Sequence, residues 1–285
     1  MKRIGLFLLT NLLVIITISV ILQLTGINIA QNSGLLMFCA LFGFGGAFIS
    51  LLLSKTMAKF SYKIQMIDRT NASGRYLTLY DNIEKMAAHL GIKTPQVGIY
   101  PSPDVNAFAT GASANKALIA FSSAIVERLE DDELAAVAGH ELSHVTNGDM
   151  VTMTLLTGVA NTFVMFFARI VAGILSGSSR DNRGLGTMGY YAIVMILENV
   201  MMMLAYIPIS AFSRWREFGA DEGAARMTTA GPMIDALLKI DRNYQPVADN
   251  KDSFAMAKIG GRKRVSLFAT HPSIEARVER LKKLA

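Results

Sequence analysis

Residues 140–144 of this 285-residue chain read His-Glu-Leu-Ser-His, and an apolar run begins seven residues later, at position 151. Histidines four residues apart on a helix lie one turn apart on the same face, so both imidazoles can reach one metal ion. The intervening glutamate stands beside them, where it can act on a water bound to that metal. Acidic residues and helical apolar spacing upstream predict a helix that starts in water, with Asp131 or Asp132 as its N-cap. The stretch therefore predicts a metal-binding helix that ends close to a membrane.

The composition favours a membrane protein. Hydrophobic residues make up 52% of the chain and charged residues 18%, against about 25% charged in an average soluble domain. This excludes a disordered chain and argues against an ordinary soluble enzyme. The net charge of +6 comes without an aromatic-interleaved basic stripe, so we expect no nucleic acid partner. The single cysteine, Cys39, excludes a cysteine-based metal site, so any metal must be held by His, Asp or Glu.

The N-terminal part predicts a membrane hairpin. Residues 4–24 form an uncharged apolar run, which at 1.5 Å per residue spans about 30 Å. A secretory signal peptide is the competing interpretation, but the run is longer than the usual apolar core of such a peptide. A second uncharged run covers residues 34–54, and Lys55, Lys59 and Lys63 follow it. By the positive-inside rule, both ends of this hairpin face the cytoplasm.

Two later apolar runs, residues 151–175 and 188–212, are interrupted by Arg169 and Glu198. Two arginines in the loop between them would face outward if both runs crossed the bilayer, against the positive-inside tendency. The sequence therefore leaves open whether these two runs cross the bilayer completely. Arg169 and Glu198 can pair between antiparallel helices, or Arg169 can extend to the far interface.

The remaining sequence predicts one water-exposed domain in two pieces. The predicted organisation is a membrane hairpin at 1–54, a first catalytic part at 55–150, a second apolar hairpin at 151–212 and a second catalytic part at 213–285. Within the first catalytic part, local patterns predict a helix over residues 83–90 and strands over residues 96–100 and 117–121.

A third metal ligand has to come from far away in the sequence. The extended motif that adds a third histidine six residues on is missing, because Met150 occupies that position. The best candidate is Glu217, which shares a helix face with Asp221, so that one can bind the metal while the other orients a histidine. A solvated helix start is the alternative. If residues 151–212 form a hairpin, Glu217 returns to the same membrane face as His144, which adds weight to the ligand interpretation.

Several motifs together carry a resemblance to a known family. They are residues 106–111 (Asn-Ala-Phe-Ala-Thr-Gly), 133–137 (Glu-Leu-Ala-Ala-Val) leading into His140, 216–221 (Arg-Glu-Phe-Gly-Ala-Asp) and 270–273 (Thr-His-Pro-Ser). With them, essentially the whole chain resembles the membrane-bound zinc endopeptidases of the HtpX family, related to the CAAX prenyl endopeptidases. The fold class then expected is an α-helical integral membrane protein with a mainly α (α+β) zincin/gluzincin-type cytoplasmic catalytic domain.

The resemblance also implies site residues. It implies one Zn²⁺ per chain on His140, His144 and Glu217, with Asp221 supporting a ligand. Glu141 is then the general base that activates a zinc-bound water for peptide-bond hydrolysis.

Further substrate contacts are implied on two other segments. Residues 106–109 would form an edge strand beside the cleft, with Asn106, Ala107 and Phe108 as candidate substrate contacts. His271 and Arg277 are candidates for stabilising the oxyanion, although a helix N-terminal turn with solvated charges is an equally good interpretation of that segment.

The family role that the resemblance implies is quality control. The expected activity is endoproteolysis of misfolded or damaged proteins in a bacterial inner membrane, with the catalytic domain facing the cytoplasm. Unfolded or membrane proteins would be the substrates and the lipid bilayer the surrounding partner. Two alternatives stay open: an intramembrane-cleaving metalloprotease, against which the acidic residues before the motif argue, and a non-catalytic membrane scaffold or holdase.

Overall fold

The computed structural model describes residues 32–177, 186–243 and 267–284. The predicted first membrane run, residues 4–24, lies outside these ranges, as does most of the loop before residue 186. The chain divides into two compact units, one of residues 1–48 and 155–205 and the other of residues 49–154 and 206–285.

Three long helices in the described part are apolar enough to cross a membrane: α1 (Ser33–Ser61), α5 (Asp149–Gly177) and α6 (Gly186–Met227). Each contains one of the predicted apolar runs and extends beyond it. Helix α6 continues without interruption past the end of its apolar run at residue 212. The alternative of a solvated helix start after residue 212 is therefore wrong, because this segment is the interior of a 42-residue helix.

The first unit contains close helix contacts and a partly buried ion pair. Any Cβ at Gly43 would lie 2.5 Å from the Thr162 hydroxyl, so the small residue lets the two backbones approach. The Arg169 guanidinium lies 2.5 Å from the Glu198 carboxylate. Of the two arrangements open from the sequence, the structure thus forms the pair, which lets each charge neutralise the other in an apolar environment.

The second unit contains a four-stranded mixed sheet. Its strands are β1 (Gln65–Ile67), β2 (Gln96–Tyr100), β3 (Ala107–Thr110) and β4 (Leu118–Ser122), in the order β1-β2-β4-β3. The pair β2–β4 is parallel and the other two pairs are antiparallel. The strand predicted over residues 96–100 is confirmed, and the one predicted over 117–121 is displaced by one residue. Strand β3 lies at one edge of the described sheet.

Five helices and this sheet surround one apolar core, to which the last two helices contribute by packing on other helices rather than on the strands. The helices are α2 (Arg75–His89), α3 (Ser123–Arg128), α4 (Asp131–Asn147), α7 (Ala230–Asn243) and α8 (Ile274–Lys282). Helix α2 buries Leu79 and Ile83 one turn apart, with Met86 on the same side. The predicted helix over residues 83–90 is therefore only the C-terminal half of α2, because the apolar spacing continues one turn further upstream.

Helix α4 carries the His-Glu-Leu-Ser-His segment and has well-defined ends. Its N-cap is Glu130 rather than Asp131 or Asp132, because Glu130 and Glu133 form a reciprocal capping box. At the other end Gly148 adopts a left-handed conformation with φ of 69°, which glycine accommodates readily. Helix α5 starts at the next residue, so a single glycine separates the two helices.

Candidate metal centre

Three ligand atoms from two helices of the second unit converge on one point. The Nε2 atoms of His140 and His144 are 3.1 Å apart. The Glu217 carboxylate lies 3.5 Å from the first and 3.3 Å from the second. In a tetrahedral site with metal–ligand distances of 2.0–2.1 Å, ligand atoms are about 3.3 Å apart. The side chains are therefore spaced as three corners of a tetrahedral metal site.

Small residues bring helix α6 close enough to α4 for this convergence. A Cβ added at Gly223 would lie 2.1 Å from the Ser143 Oγ and 2.8 Å from the Ser143 Cβ. A Cβ added at Gly139 would lie 3.3 Å from the Ala224 Cα. Since Glu217 lies under two turns before Gly223, this close packing sets its position over the two histidines.

A carboxylate holds the other ring nitrogen of each histidine. The Nδ1 of His140 lies 2.9 Å from Asp221 Oδ1, and the Nδ1 of His144 lies 2.6 Å from Asp149 Oδ2. Such contacts fix the tautomer that leaves Nε2 free to bind a metal. The structure thus brings Asp221 to the position expected for a supporting residue. Asp149 was missed by sequence reasoning, although its place just after the glycine that ends α4 was a usable signal.

The charges of these groups are strongly coupled. Burial alone would lower the pKa of His144, but the Glu217 and Asp149 carboxylates outweigh it and raise the pKa to about 9. Burial is likewise outweighed at His140, whose pKa is raised by Asp221 and Glu217. At Glu217, His271 and His144 overcome the effect of burial and hold the pKa well below its usual range. A metal cation can replace the protons that this cluster otherwise holds.

The two residues considered for oxyanion stabilisation occupy different positions. His271 lines the cavity above the ligands, and its Nδ1 is 2.9 Å from the Glu217 carboxylate. Arg277 is fully buried behind His140 and makes two hydrogen bonds to Asp221, of 2.6 and 2.8 Å. This arginine lowers the pKa of Asp221 against the effect of burial. The geometry favours His271 as the group that faces a substrate and Arg277 as the counter-ion of Asp221.

The cavity over the metal ligands also contains Glu141. Among the described residues, none donates a hydrogen bond to its carboxylate, which leaves that carboxylate available to a water. Strand β3 contributes Phe108 and Ala109 to the cavity wall, whereas Asn106 and Ala107 are not part of it. Asn106 instead donates a hydrogen bond of 3.0 Å to the Tyr100 hydroxyl. The full lining comprises Phe108, Ala109, His140, Glu141, His144, Met150, Arg216, Glu217 and His271.

The donor set fits a metal ion. Both carboxylate oxygens of Glu217 are buried without a hydrogen-bond partner in the described part of the chain, although the ring nitrogens lie within ion-pair distance. A buried carboxylate in that state is costly unless a cation or a donor satisfies it. Two imidazoles and one carboxylate are ligands that zinc accepts in catalytic sites, where a fourth position stays open.

Comparison with known proteins identifies the family. Residues 75–285 match the Peptidase family M48. A protein named Protease HtpX from Aeromonas hydrophila is 47% identical over 99% of this chain and its own full length, and one from Tolumonas auensis is 43% identical over the full length of both. The crystal structure of S. mikatae Ste24p superposes with a TM-score of 0.63 at 18% identity, covering 96% of this chain and 66% of that one.

The likeness to Ste24p concerns the fold alone, while the full-length relatives define the family. Together with the described helices and sheet, they confirm the predicted fold class and the predicted resemblance. The chain therefore belongs to peptidase family M48 and is a membrane metalloprotease.

Proposed function

We propose that the protein is a zinc-dependent endopeptidase with one Zn²⁺ per chain. His140, His144 and Glu217 hold the ion, and Glu141 is the general base. The observation that carries the proposal is the convergence of two imidazole Nε2 atoms 3.1 Å apart with the buried Glu217 carboxylate, whose two oxygens lie 3.5 and 3.3 Å from them. The Glu141 carboxylate, which accepts no hydrogen bond from a described residue, lies in the same cavity. A merely structural cluster has no need for such a carboxylate.

The chemistry divides between the ion and the chain. When held by the three ligand residues, zinc would supply a water of lowered pKa and a Lewis acid that polarises the scissile carbonyl. Glu141 accepts the proton of the attacking water and delivers it to the leaving amine. His271, which faces the cavity, stabilises the negative charge that develops on the carbonyl oxygen. Arg277 does not line the cavity, and its role is to hold the Asp221 carboxylate against His140.

Strand β3 supplies the surface for an extended substrate. It is an edge strand, and Phe108 and Ala109 border the same cavity as Glu141. An extended peptide can add to such an edge through backbone hydrogen bonds, which depend little on the substrate's side chains. This supports a protease of broad specificity that acts on unfolded segments.

We further propose the cellular role that the family resemblance implies. The enzyme cleaves misfolded or damaged membrane proteins in a bacterial inner membrane, as part of quality control under stress. Its catalytic domain, residues 55–150 and 213–285, faces the cytoplasm, while residues 1–54 and 151–212 form the two membrane hairpins. Lys55, Lys59 and Lys63, directly after the second apolar run, support this orientation.

A single preparation tests the enzymatic proposal. The protein is purified in detergent without chelator, its metal content is measured, and casein cleavage is compared for the wild type and Glu141→Gln. We expect one zinc per chain in both and cleavage in the wild type alone. Glu217→Ala should lose both zinc and cleavage, and the exposed Glu127→Gln on α3 is the matched control that should change neither.

Each alternative has its own outcome in the same experiment. Full cleavage by Glu141→Gln contradicts its assignment as base. Protein that carries no metal favours the scaffold or holdase. Strict dependence on a transmembrane substrate, with casein untouched, favours an intramembrane protease.

A further inference from the structure

Three exposed apolar side chains lie on two segments of the second unit, helix α6 just beyond its apolar run and the chain at residues 267–268. Trp215 is 54% exposed, Leu267 60% and Phe268 47%. Two polar side chains of α6 hold the backbone of residues 267–269 against the helix. The Ser210 hydroxyl donates to the Phe268 carbonyl at 3.3 Å, and Arg214 donates to the carbonyls of residues 267 and 269 at 3.3 and 2.6 Å. Residues 267–269 are therefore held against the part of α6 that directly precedes Trp215.

The helix face that carries Trp215 continues the apolar surface of α6. Trp215 follows the last residue of the apolar run, Phe212, by one turn, and the two rings pack with centroids 5.8 Å apart. Pro208, Ala211 and Trp215 are all exposed, at spacings of three and four residues, so they form one stripe along the helix. A tryptophan at the end of such a stripe has the position that tryptophan prefers at a membrane–water interface.

Beyond the two arginines that flank Trp215, a surface of exposed ion pairs begins one to two turns further along the helix. Arg280 lies over the ring of Phe218 at 5.0 Å and pairs with Glu222 at 2.6 Å. Helix α8, which carries Arg280, also exposes Glu275 and Glu279. Along α6, Trp215 therefore lies between the apolar stripe and a charged surface, the order of environments found across the edge of a bilayer.

We propose that Trp215, Leu267 and Phe268 form a lipid-contacting patch that docks residues 267–269 on the membrane surface. Continuity with the apolar stripe of α6 favours lipid as the occupant. A second copy of the chain is disfavoured, because three side chains are far fewer than the roughly 20–30 residues per partner in a stable interface.

The patch lies next to the catalytic cavity in the chain. His271 follows residue 269 by two positions, and its Nδ1 contacts Glu217 at 2.9 Å. Lipid contact at Leu267 and Phe268 thus orders the segment that presents His271. This step rests on the proposed function, whereas the lipid contact itself does not.

The single tryptophan of the chain gives a direct test. The inactive Glu141→Gln protein is reconstituted in phosphatidylcholine vesicles whose acyl chains carry bromine near the headgroup or near the chain end. We expect Trp215 fluorescence to be quenched more strongly by the shallow bromines. The control is a protein with Trp215→Phe and Tyr76→Trp. Tyr76 adjoins Arg75, which pairs with Asp131 at the far end of α4, about 25 Å from the start of α5.

Two outcomes overturn the lipid assignment. One is quenching of Trp215 no stronger than that of the control. The other is a blue shift of the Trp215 emission that depends on protein concentration and is not accompanied by quenching from the brominated lipids. That result assigns the patch to a second copy of the chain.

A second variant tests the link to His271. Leu267→Ser with Phe268→Ser should retain zinc but lose quenching and casein cleavage in vesicles, while Leu267→Ile with Phe268→Leu should retain all three. Unchanged cleavage in the serine variant overturns the link. If the wild type proves to bind no zinc or to cleave nothing, the proposed function fails, and the fluorescence result still decides the lipid contact.

Discussion

Replacing Gly223 by alanine should disturb the metal site without touching any ligand. The new Cβ would lie 2.8 Å from the Ser143 Cβ, whereas carbon atoms in contact are normally about 3.5–4.0 Å apart. The Ser143 hydroxyl can rotate away, but its Cβ cannot, so α4 and α6 have to separate by about 0.7 Å or more. Overpacking of this kind costs about 1–3 kcal/mol of folding free energy.

The larger effect is on function, because Glu217 moves with α6. Metal–ligand distances in a well-formed site lie within about 0.2 Å of their standard values, and a misplacement of about 1 Å lowers catalytic rates by about 100-fold. We therefore expect Gly223→Ala to weaken zinc binding and to lower casein cleavage by about 10- to 100-fold. Metal affinity is measured by competition with a chelator, and cleavage at saturating zinc.

Two control variants distinguish the effect of the close contact at Gly223 from any general effect of placing alanine in this helix. Gly219→Ala lies on the same helix, where a Cβ meets nothing within 4 Å. It should leave activity unchanged and stabilise the helix by up to about 1 kcal/mol. Adding Ser143→Gly to Gly223→Ala leaves the Ser143 Cα, 3.9 Å away, as the nearest atom and should restore zinc binding. Wild-type zinc affinity and cleavage in the single variant Gly223→Ala would show that close packing at Gly223 does not position Glu217.

Three further predictions concern the groups around the ligands. Because the metal-free protein holds the pKa of His144 at about 9, zinc binding at pH 7 must release its proton. Affinity should rise by at least about tenfold per pH unit up to pH 9 and then level off, and the raised pKa of His140 can only steepen this rise. Calorimetry in buffers of different ionisation enthalpy would detect the released protons, and a flat pH profile would contradict the raised pKa. Arg277→Met leaves the Asp221 carboxylate buried without its cation and should lower the free energy of unfolding by about 3–5 kcal/mol, as measured by chemical denaturation. Adding Asp221→Asn should recover part of that loss. If it recovers nothing, the lost pairing with Asp221 is not the cause of the destabilisation. Asp149→Asn should weaken zinc binding about 10- to 100-fold in a chelator competition while the fold is retained. Wild-type affinity in this variant would show that His144 binds zinc equally well without a carboxylate at its Nδ1.

The sequence predicted what depends on local spacing. The pairing of His140 with His144 follows from one helical turn, and apolar runs reveal the long helices directly. Glu217 lies 73 residues beyond His144, so no local spacing connects the two. It could be proposed only because the extended histidine motif is missing and because the predicted hairpin returns Glu217 to the same membrane face. The N-cap of α4 was misassigned because Asp131 and Asp132 are common capping residues, while the Glu130–Glu133 capping box depends on both side chains folding back.

The remaining features depend on tertiary contacts that local patterns do not encode. The hydrogen bond from Arg277 to Asp221 joins residues 56 positions apart. Local sequence patterns do not indicate which residue this arginine contacts. Gly223 carries no chemical group, and its importance follows only from the side chain it meets on another helix. Contacts of this kind are decided by packing, where many residue pairs would satisfy the same hydrophobic pattern.

Helix α6 carries both an apolar run and Glu217, without a break between them. Glu217 lies five residues beyond Phe212, which along the helix axis is about 7.5 Å. An extended polypeptide covers about 3.3 Å per residue, so about three residues outside the hydrocarbon layer span the same height. If the proposed membrane hairpin ends at residue 212, a membrane-protein substrate would need only a short frayed tail or an opened loop next to its span to present a peptide bond to this centre, and complete extraction from the bilayer would not be required.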